Sequence, residues 1–497
     1  MRTNYRKSLL ALVLLAGIGL ASCNKTSASV KPDSKDSLVS TTNKSETPVE
    51  STLEIKEGTY TIYGYEWGPG VTKVVLKLQG KIEGITKDSF KLFAGSDKIA
   101  DADMVEATLT DAYTSDALGT KTNSASEYVA FEITPEHNKC SPFDSDPMTL
   151  ANSWAVYKAK IVLNTDLTIG GNKVVSGTSA VYKFKDSERK TPEFDSWERG
   201  SYTKGDQTLT TIAYTPAGAK DDSTKNPMII WLHGAGGGGT DPVISALDSQ
   251  VVNFTKDKIQ SHFTTDTQKG AYVLSVQTPT YWCNDGKGGY NSALNAGDAF
   301  GKGQPGMYTE TLFETIKDFV KNHPDVDEKR LYIGGCSNGG YMTMEMMINH
   351  GDYFAAYYPI CEGYRNYFIG DDKISEMKDR NIYFIQAEGD ELFPPMEFTV
   401  PTYYRLINAG AENVHFSFFD SSCLYAKGYI QHYSWVYVCN DEVKYDFDKD
   451  AVKADYANLD FSDYGALTGQ DTYVSNANNT VEIDGGLFGW MSRQSLA

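Results

Sequence analysis

The sequence predicts two folded domains, an all-β domain followed by an α/β domain with a mostly parallel central sheet. Between Leu53 and about Ser187, short alternating apolar runs are separated by turn residues, and no stretch has helical periodicity. After Lys190, apolar strands alternate with helical segments instead. The chain has 497 residues, which is longer than one ordinary domain. Hydrophobic residues make up 40% of it, which is enough to form two cores. We therefore expect domains at residues 53–187 and 191–497.

The first domain is predicted to be a β-sandwich of immunoglobulin type, since it offers half a dozen short strands with turn signals between them. The predicted strands are Thr59–Tyr63, Lys73–Leu78, Phe90–Phe93, Tyr128–Ile133, Trp154–Leu163 and Val174–Phe184. Cys140 is the only cysteine in this stretch, so the Cys…Trp…Cys signature of antibody domains is missing. We expect a spacer or packing partner for the second domain. The alternative is carbohydrate binding through Tyr65, Trp67 and Trp154, although aromatic residues in a sandwich usually belong to its core.

The second domain is predicted from six buried strands and the helices between them. The strands are Met228–Leu232, Ala271–Val276, Leu331–Gly334, Phe354–Ile360, Ile382–Gln386 and Val414–Phe419. Helices are expected over Tyr308–Asn322, where apolar residues recur at helical spacing before His323-Pro324, and over Tyr341–His350, which Gly351 ends. The count and order of these elements suit an α/β-hydrolase fold.

The first 23 residues are typical of an export signal. A basic start is followed by an apolar run, Leu9–Leu20, that is too short to span a bilayer comfortably. The following Leu20–Cys23 matches a lipobox, so we expect cleavage before Cys23 and lipidation of this cysteine, which would anchor the protein outside the cytoplasm. The alternative is an ordinary secretory signal in which Cys23 is incidental. Residues 24–52 are polar and predict a flexible tether.

The charge balance argues against one class of partner. The formal net charge is −19, and no cluster of Lys and Arg is present that would bind nucleic acid or an anionic membrane surface. Six cysteines remain beyond Cys23, and the sequence does not choose among their pairings. One of them, Cys336, is expected to be a buried thiol rather than a catalytic or redox group. The oligomeric state is not predictable.

The segment Gly335–Gly339, with the sequence Gly-Cys-Ser-Asn-Gly, predicts a nucleophile elbow. A strand precedes it and a helix follows it, as the strained turn that exposes a serine hydroxyl requires. We expect the glycines to be needed because side chains there would clash with the incoming strand and the outgoing helix. Ser337 is thus the predicted nucleophile.

A serine nucleophile needs a histidine base and an acid that orients the base, and in this fold both follow the serine in the chain. Two histidines qualify by position, and His415 lies inside a predicted strand. His432 comes after the last strand, where a loop can reach over the sheet, so it is the predicted base. The predicted acid is Asp390, just beyond the carboxyl end of strand Ile382–Gln386. Its neighbours Glu388 and Glu391, and Asp420 after the next strand, are the alternatives.

The oxyanion of a tetrahedral intermediate needs two donors, and a glycine-rich segment, His233–Gly239, leaves strand Met228–Leu232. The backbone amides of Ala235 and Asn338 are the predicted pair. The Lys of a phosphate-binding loop is missing, and His233 is expected to brace the loop rather than bind a metal. No residue set has zinc or calcium spacing, so no metal and no cofactor are expected.

These residues carry a resemblance to a known family. The C-terminal 300 or so residues resemble bacterial α/β-hydrolase esterases of the polyhydroxybutyrate-depolymerase and feruloyl-esterase group, through Leu232–Gly236, Gly335–Gly340 and His432–Trp435. The Glu66–Val71 segment resembles the immunoglobulin-like domain that precedes the hydrolase in one esterase family. The resemblance implies carboxylic-ester hydrolysis through an acyl-enzyme, with Trp282 bordering the substrate pocket. An acidic insert at about 441–478, before a last helix near Gly486–Ser492, departs from the pattern.

The sequence therefore predicts a lipid-anchored serine esterase that hydrolyses short-chain or carbohydrate-linked acyl esters outside the cytoplasm. A serine peptidase or a lipase-like hydrolase would use the same three side chains. A third hypothesis is a surface binding protein on an inactive hydrolase scaffold, which the presence of Ser337, Asp390 and His432 in the expected order disfavours.

Overall fold

The computed structural model describes residues 52–137, 139–146, 151–220, 223–287, 305–448, 460–463, 466–468 and 479–497. The chain forms two compact units. The first contains the residues up to Thr61 together with Val71–Ser141 and Val156–Lys190, and the second contains Ile62–Gly70, Pro142–Ala155 and the residues from Thr191 onward. Two segments from the predicted sandwich region thus group with the second unit. The export signal with Cys23, nearly all of the tether and most of the 441–478 insert lie outside the described residues.

Thirteen described strands precede residue 191, and nine of them form two sheets. They are β1 (Ile55–Tyr65), β2 (Gly68–Ile82), β3 (Phe90–Ser96), β4 (Val105–Glu106), β5 (Thr108–Ser115), β6 (Ser126–Thr134), β7 (Phe143–Ser145), β8 (Asn152–Trp154), β9 (Tyr157–Leu163), β10 (Leu167–Ile169), β11 (Asn172–Val174), β12 (Ser179–Lys183) and β13 (Arg189–Lys190). One sheet has the order β13-β1-β2-β6-β5 and the other β12-β9-β3-β4, while β7-β8 and β10-β11 are separate hairpins.

The two sheets of the first unit pack face to face through aromatic residues. Tyr60 of β1 stacks on Tyr157 of β9 with ring centroids 4.8 Å apart. Phe90 of β3 meets Phe131 of β6 edge-on at 5.2 Å. All four side chains are buried, so the predicted β-sandwich is confirmed.

Two of the predicted sandwich strands were too long. The stretch Val174–Phe184 is broken into β11 and β12 by a turn in which Gly177 has a φ of +86°. The stretch Trp154–Leu163 is likewise broken between β8 and β9. Apolar residues run without interruption across the β8–β9 break, from Trp154 to Tyr157, whereas the β11–β12 break carries the turn sequence Ser176-Gly177-Thr178.

The second unit is built on an eight-stranded mixed sheet. Its strands are β14 (Glu198–Lys204), β15 (Gln207–Tyr214), β16 (Asn226–Leu232), β17 (Tyr272–Gln277), β18 (Val326–Cys336), β19 (Ala356–Ile360), β20 (Ile382–Ala387) and β21 (Val414–Phe419). The order is β14-β15-β17-β16-β18-β19-β20-β21. Strand β15 pairs antiparallel with β14 and β17, and the other pairs are parallel. The six predicted strands are therefore confirmed as a parallel set, and the amino-terminal hairpin β14-β15 was not predicted.

Burial explains why these strands read as unbroken apolar runs. Every residue of β16, β17, β19 and β20 is buried, as expected of a parallel sheet covered on both faces. The described helices of the unit are α1 (Pro242–Leu247), α2 (Asp257–Gln260), α3 (Thr309–Asn322), α4 (Asn338–His350), α5 (Asp371–Met377), α6 (Thr399–Asn408), α7 (Ser421–Ala426), α8 (Trp435–Cys439) and α9 (Gly486–Ser492). Short strands follow at β22 (Tyr445–Phe447), β23 (Asp460–Asp463), β24 (Ala466–Thr468) and β25 (Asn479–Glu482).

The parallel strands end at one edge of the sheet, which is where the predicted site residues lie in the chain. Leu232, Cys336 and Ala387 are the last residues of β16, β18 and β20, and the loops after them carry the predicted oxyanion, nucleophile and acid residues. In the part of the chain that the structure describes, no helix is both long and apolar enough to span a membrane.

Candidate active site

Ser337 occupies a sharp turn between β18 and α4. Its backbone has φ 58° and ψ −115°, a left-handed conformation that a residue with a side chain rarely adopts and that marks stored strain. Its amide donates to the Ile360 carbonyl at 2.9 Å, which ties the turn to the neighbouring strand. Ser337 remains partly exposed between the buried residues Cys336 and Asn338. The serine is therefore held where its hydroxyl is accessible.

The glycines of the elbow are required by a neighbouring strand. A Cβ on Gly335 would lie 2.1 Å from the Leu232 carbonyl oxygen, and one on Gly339 would lie 1.9 Å from the same atom. The sequence predicted clashes with the elbow's own strand and helix, so this expectation is corrected: the end of β16 sets the limit. The tight approach brings the His233–Gly239 loop next to Ser337.

Asp390 and His432 meet directly. His432 Nδ1 lies 2.8 Å from Asp390 Oδ2, and the two side chains are 5% and 2% exposed. The other carboxylate oxygen, Oδ1, accepts the backbone amides of Leu392 and Phe393 at 3.0 and 3.1 Å. Gln386 Nε2 adds a donor to Oδ2 at 3.2 Å. Asp390 acts as the acceptor in all of these hydrogen bonds, so its contact with His432 places the donating proton on Nδ1 of the ring.

With Nδ1 bonded to Asp390, the second ring nitrogen of His432, Nε2, is the one that can accept a proton. Nε2 is buried and has no hydrogen-bond partner among the described residues, so it is not bonded to the Ser337 hydroxyl in this structure. The ring is fixed between Phe393, edge-on at 5.3 Å, and Trp435 at 6.0 Å. An imidazole with Nδ1 protonated and Nε2 free is the form that can accept a proton.

The loop that carries His432 is braced by a residue that sequence reasoning missed. The Tyr429 hydroxyl donates a hydrogen bond to Glu66 Oε2 at 2.9 Å, and Trp435 Nε1 donates one to the Glu66 carbonyl oxygen at 3.3 Å. Asn440 Nδ2 also donates to the Glu66 carboxylate. Glu66 lies in the Ile62–Gly70 segment of the second unit. The sequence marked Glu66 only as part of the Glu66–Val71 segment that resembles an Ig-like domain, with no role in the site.

The two predicted oxyanion donors lie at the starts of helical turns. Ala235 begins a short turn, Ala235–Gly237, and Asn338 is the first residue of α4. Among the described residues, neither backbone amide donates to a protein acceptor, because the first amides of a helical turn have no partner within it. The Asn338 side chain is occupied: its Oδ1 accepts the Trp282 amide at 2.5 Å and its Nδ2 lies 2.8 Å from Cys283 Sγ.

His233 braces the loop, as the sequence predicted. Its Nδ1 lies 2.6 Å from the Gly234 carbonyl oxygen, and its Nε2 accepts the Thr278 amide at 3.1 Å. Burial lowers the pKa of His233 to about 4, so the ring is neutral. Both ring nitrogens are engaged, which leaves none for a metal ion.

Trp282 is fully buried, with 0% exposure. Its indole nitrogen donates to the His233 carbonyl at 3.2 Å, and the two rings lie 5.1 Å apart. It therefore supports the His233 loop, and a side chain with no exposed surface does not fit the expected place in the wall of the substrate pocket. Cys336 is buried too, and burial raises the pKa of its thiol to about 12, as a structural cysteine requires. None of the six described cysteines forms a disulfide.

Family models match two segments of the chain. Residues 59–176 match the esterase Ig-like N-terminal domain. Residues 297–362, which include Ser337, match the prolyl oligopeptidase family. No curated protein matches the sequence significantly.

Solved structures resemble the chain as well. A thermostable esterase is 22% identical with a TM-score of 0.59, covering 78% of this chain and 96% of its own. A ferulic acid esterase is 13% identical with a TM-score of 0.34, covering 49% and 94%. An acylaminoacyl peptidase from Pyrococcus horikoshii is 15% identical with a TM-score of 0.32, covering 70% and 49%. Only the first similarity is strong enough to show a shared fold. Together with the family matches, it identifies an esterase-type Ig-like N-terminal domain followed by a serine hydrolase domain of the α/β-hydrolase fold.

Proposed function

We propose that the protein is a serine carboxylesterase that hydrolyses short-chain or carbohydrate-linked acyl esters. The observation that carries this proposal is the buried Asp390–His432 pair, which leaves His432 Nε2 free as an acceptor in the unit that also holds the strained Ser337 turn. The match of residues 59–176 to the esterase Ig-like N-terminal domain and the similarity to a thermostable esterase favour an ester substrate.

In the proposed acylation step, the Ser337 hydroxyl oxygen forms a bond to the ester carbonyl carbon while its proton passes to His432 Nε2. The hydrogen bond between Ser337 and His432 forms on substrate binding, since such contacts are commonly long before the substrate arrives. Asp390 keeps the imidazole in the required tautomer and stabilises its positive charge.

The tetrahedral intermediate places a negative charge on the former carbonyl oxygen. The free amides of Ala235 and Asn338 are the proposed donors to this oxygen, since each begins a helical turn beside the close packing of Leu232 against Gly339. Collapse of the intermediate breaks the bond to the alcohol, which leaves with the proton from His432. Water then repeats the sequence on the acyl-enzyme and releases the acid.

A serine peptidase is the second candidate, because residues 297–362 match the prolyl oligopeptidase family. The two functions share every step except the leaving group, which is an amine for a peptidase. Rates of turnover therefore separate them. We expect kcat/KM for aryl esters of short acyl chains, or for feruloyl and acetylated sugars, to exceed that for matched aminoacyl amides. The reverse order would favour the peptidase.

The nucleophile can be tested directly with a fluorophosphonate probe, which reacts with activated serines. We expect the wild type to be labelled and Ser337→Ala to be unlabelled. Ser201→Ala is a matched control, since Ser201 is an exposed serine on β14 of the same unit, and it should be labelled like the wild type. An unlabelled wild type would contradict an active serine hydrolase and favour a binding protein.

Export and lipid anchoring at Cys23 remain part of the proposal. They rest on the basic start, the short apolar run and the lipobox of residues 1–23. An enzyme in this location would meet esters outside the cytoplasm, which agrees with the proposed class of substrate.

A further inference from the structure

A chain of buried polar side chains leads from Glu362 to Asp390. Glu362 Oε1 lies 3.0 Å from Thr399 Oγ1, which lies 2.5 Å from Gln386 Oε1, and Gln386 Nε2 lies 3.2 Å from Asp390 Oδ2. The four side chains are at most 2% exposed. They come from the loop after β19, from α6, from β20 and from the loop after β20. None of the first three was predicted to belong to the site.

The direction of the hydrogen bonds along this chain is determined by Gln386. Its Nε2 faces two acceptors, the Asp390 carboxylate and, at 2.8 Å, the Phe393 carbonyl oxygen. The amide must therefore place its nitrogen on that side, and its Oε1 faces Thr399. Since Oε1 can only accept, the single hydroxyl proton of Thr399 is donated to Gln386.

Thr399 then has only lone pairs to offer Glu362. An ionised Glu362 carboxylate would also present only lone pairs, and two acceptors 3.0 Å apart in a buried site repel each other. Glu362 Oε1 must therefore carry a proton and donate it to Thr399. The other oxygen, Oε2, accepts the Tyr364 amide at 2.6 Å, as the carbonyl oxygen of a carboxylic acid can.

The surroundings of Glu362 agree with a neutral acid. Burial raises the pKa of Glu362 to about 8, and its described hydrogen-bond partners, Tyr364 and Thr399, include no cation. The nearest arginine in sequence, Arg365, is paired with Glu397. Titratable groups on the neighbouring elements include Cys361 and Tyr364 on the same loop, Tyr341 and Glu345 on α4, Tyr403 on α6 and Asp390 after β20.

We propose that Glu362 is a positioning residue that acts as a neutral carboxylic acid, so that Glu362, Thr399 and Gln386 donate in one direction toward Asp390 and hold it against His432. This inference rests on the proposed function of the Asp390–His432 pair. Because each donor polarises the next, a chain that runs one way is stronger than its separate bonds.

Ionisation of Glu362 would reverse this chain. The Thr399 proton would turn to the new carboxylate, and Gln386 Oε1 would be left facing a lone pair. Gln386 would then no longer be fixed, and Asp390 would lose an orienting donor. Activity should therefore fall as the pH rises through the pKa of Glu362.

The test is the pH profile of kcat/KM for an aryl ester between about pH 6 and pH 10, with matched variants. We expect the wild type to lose about fivefold or more on an alkaline limb centred near pH 8, the value to which burial raises the pKa of Glu362. Glu362→Gln keeps a donor toward Thr399 and cannot ionise, so it should stay within about threefold of wild type at neutral pH and lack the limb.

Glu345→Gln is the matched control. Glu345 is another buried carboxyl whose pKa burial raises, here to about 7, but its contacts are to Tyr341, Thr309 and Asn349, not to Asp390. This variant should keep the alkaline limb of the wild type. Thr399→Val breaks the chain at its middle and should lower kcat at neutral pH and remove the limb. If Glu362→Gln does not fold, Thr399→Val carries the test.

Two results would overturn the inference: a wild-type profile without an alkaline limb, or a limb that persists in Glu362→Gln or Thr399→Val. Labelling of the wild type by the fluorophosphonate probe separates the role of Glu362 from the proposed function itself. With labelling intact, either result removes the role of Glu362 alone. Without labelling, the proposed function fails and the inference fails with it.

Discussion

Replacing Gly339 by alanine should disable the active site without removing a catalytic side chain. The new Cβ would lie 1.9 Å from the Leu232 carbonyl oxygen, 2.5 Å from its carbon and 2.8 Å from the His233 carbonyl oxygen. These are backbone atoms that cannot swing away as a flexible side chain would. To bring the distance from the new Cβ to the Leu232 carbonyl oxygen up to 3.0 Å, α4 and the end of β16 must separate by about 1.1 Å.

That separation acts on both proposed oxyanion donors, because Asn338 precedes Gly339 and the loop with Ala235 follows Leu232. Loss of one such donor lowers kcat by about 10²- to 10³-fold, and a misplacement of about 1 Å is of similar consequence. We therefore expect kcat/KM of Gly339→Ala to fall at least about 100-fold. Overpacking should also reduce the free energy of unfolding by about 1–3 kcal/mol.

The assay is hydrolysis of an aryl ester, with thermal unfolding measured on the same preparation to show that the variant is folded. Gly64→Ala is the matched control, since its Cβ would meet Leu247 at an ordinary 3.5 Å. We expect this control to retain wild-type activity. A folded Gly339→Ala variant with wild-type kcat/KM would refute the view that this contact sets the oxyanion geometry.

Three further predictions concern the acid, the buried histidine and the anchor. Asp390→Asn should lower kcat about 10³-fold or more, because it favours the wrong tautomer of His432. A variant that keeps about a tenth of the wild-type kcat in an ester assay would contradict this. His233 stays neutral in the fold down to about pH 4, whereas in the unfolded chain it binds a proton below about pH 6.5. Its contribution to the free energy of unfolding, about 3 kcal/mol, is therefore present above pH 6.5 and lost as the pH falls toward 4. In chemical denaturation across this pH range, the free energy of unfolding should decline less steeply in His233→Asn than in the wild type. Parallel pH curves for the two proteins would exclude the effect. Cys23→Ser should move the protein from the membrane fraction to the soluble fraction on cell fractionation, and an unchanged distribution would argue against lipidation.

The structure agrees with the sequence where the signals are local. A continuous apolar strand, a glycine-flanked serine and an amphipathic helix such as Thr309–Asn322 are each encoded within a short window. Because parallel strands end at one edge of a sheet, chain order alone placed Ser337 and Asp390 at strand ends and His432 after the last strand of the sheet. The contact of His432 with Asp390, rather than with Glu388, Glu391 or Asp420, needed the coordinates.

The residues that support the site left weaker signals. Gln386 is a polar residue within an apolar strand, which hints at a buried partner without saying which one. Thr399 and Glu362 carry no motif, and their contact spans 37 positions. The family resemblance implied that Trp282 borders a pocket, but the fold packs its indole against the His233 loop.

The sequence by itself determined the order of the two folded units, the parallel strands and the candidate residues of the site, because strand, turn and elbow signals are each encoded within a short stretch of the chain. Tertiary structure alone decided why Gly335 and Gly339 must be glycines, how Glu66 braces the His432 loop, and that Glu362 carries a proton. These depend on carbonyls, carboxyls and hydroxyls brought within about 3 Å from distant parts of the chain, and hydrogen bonding is decided at that range.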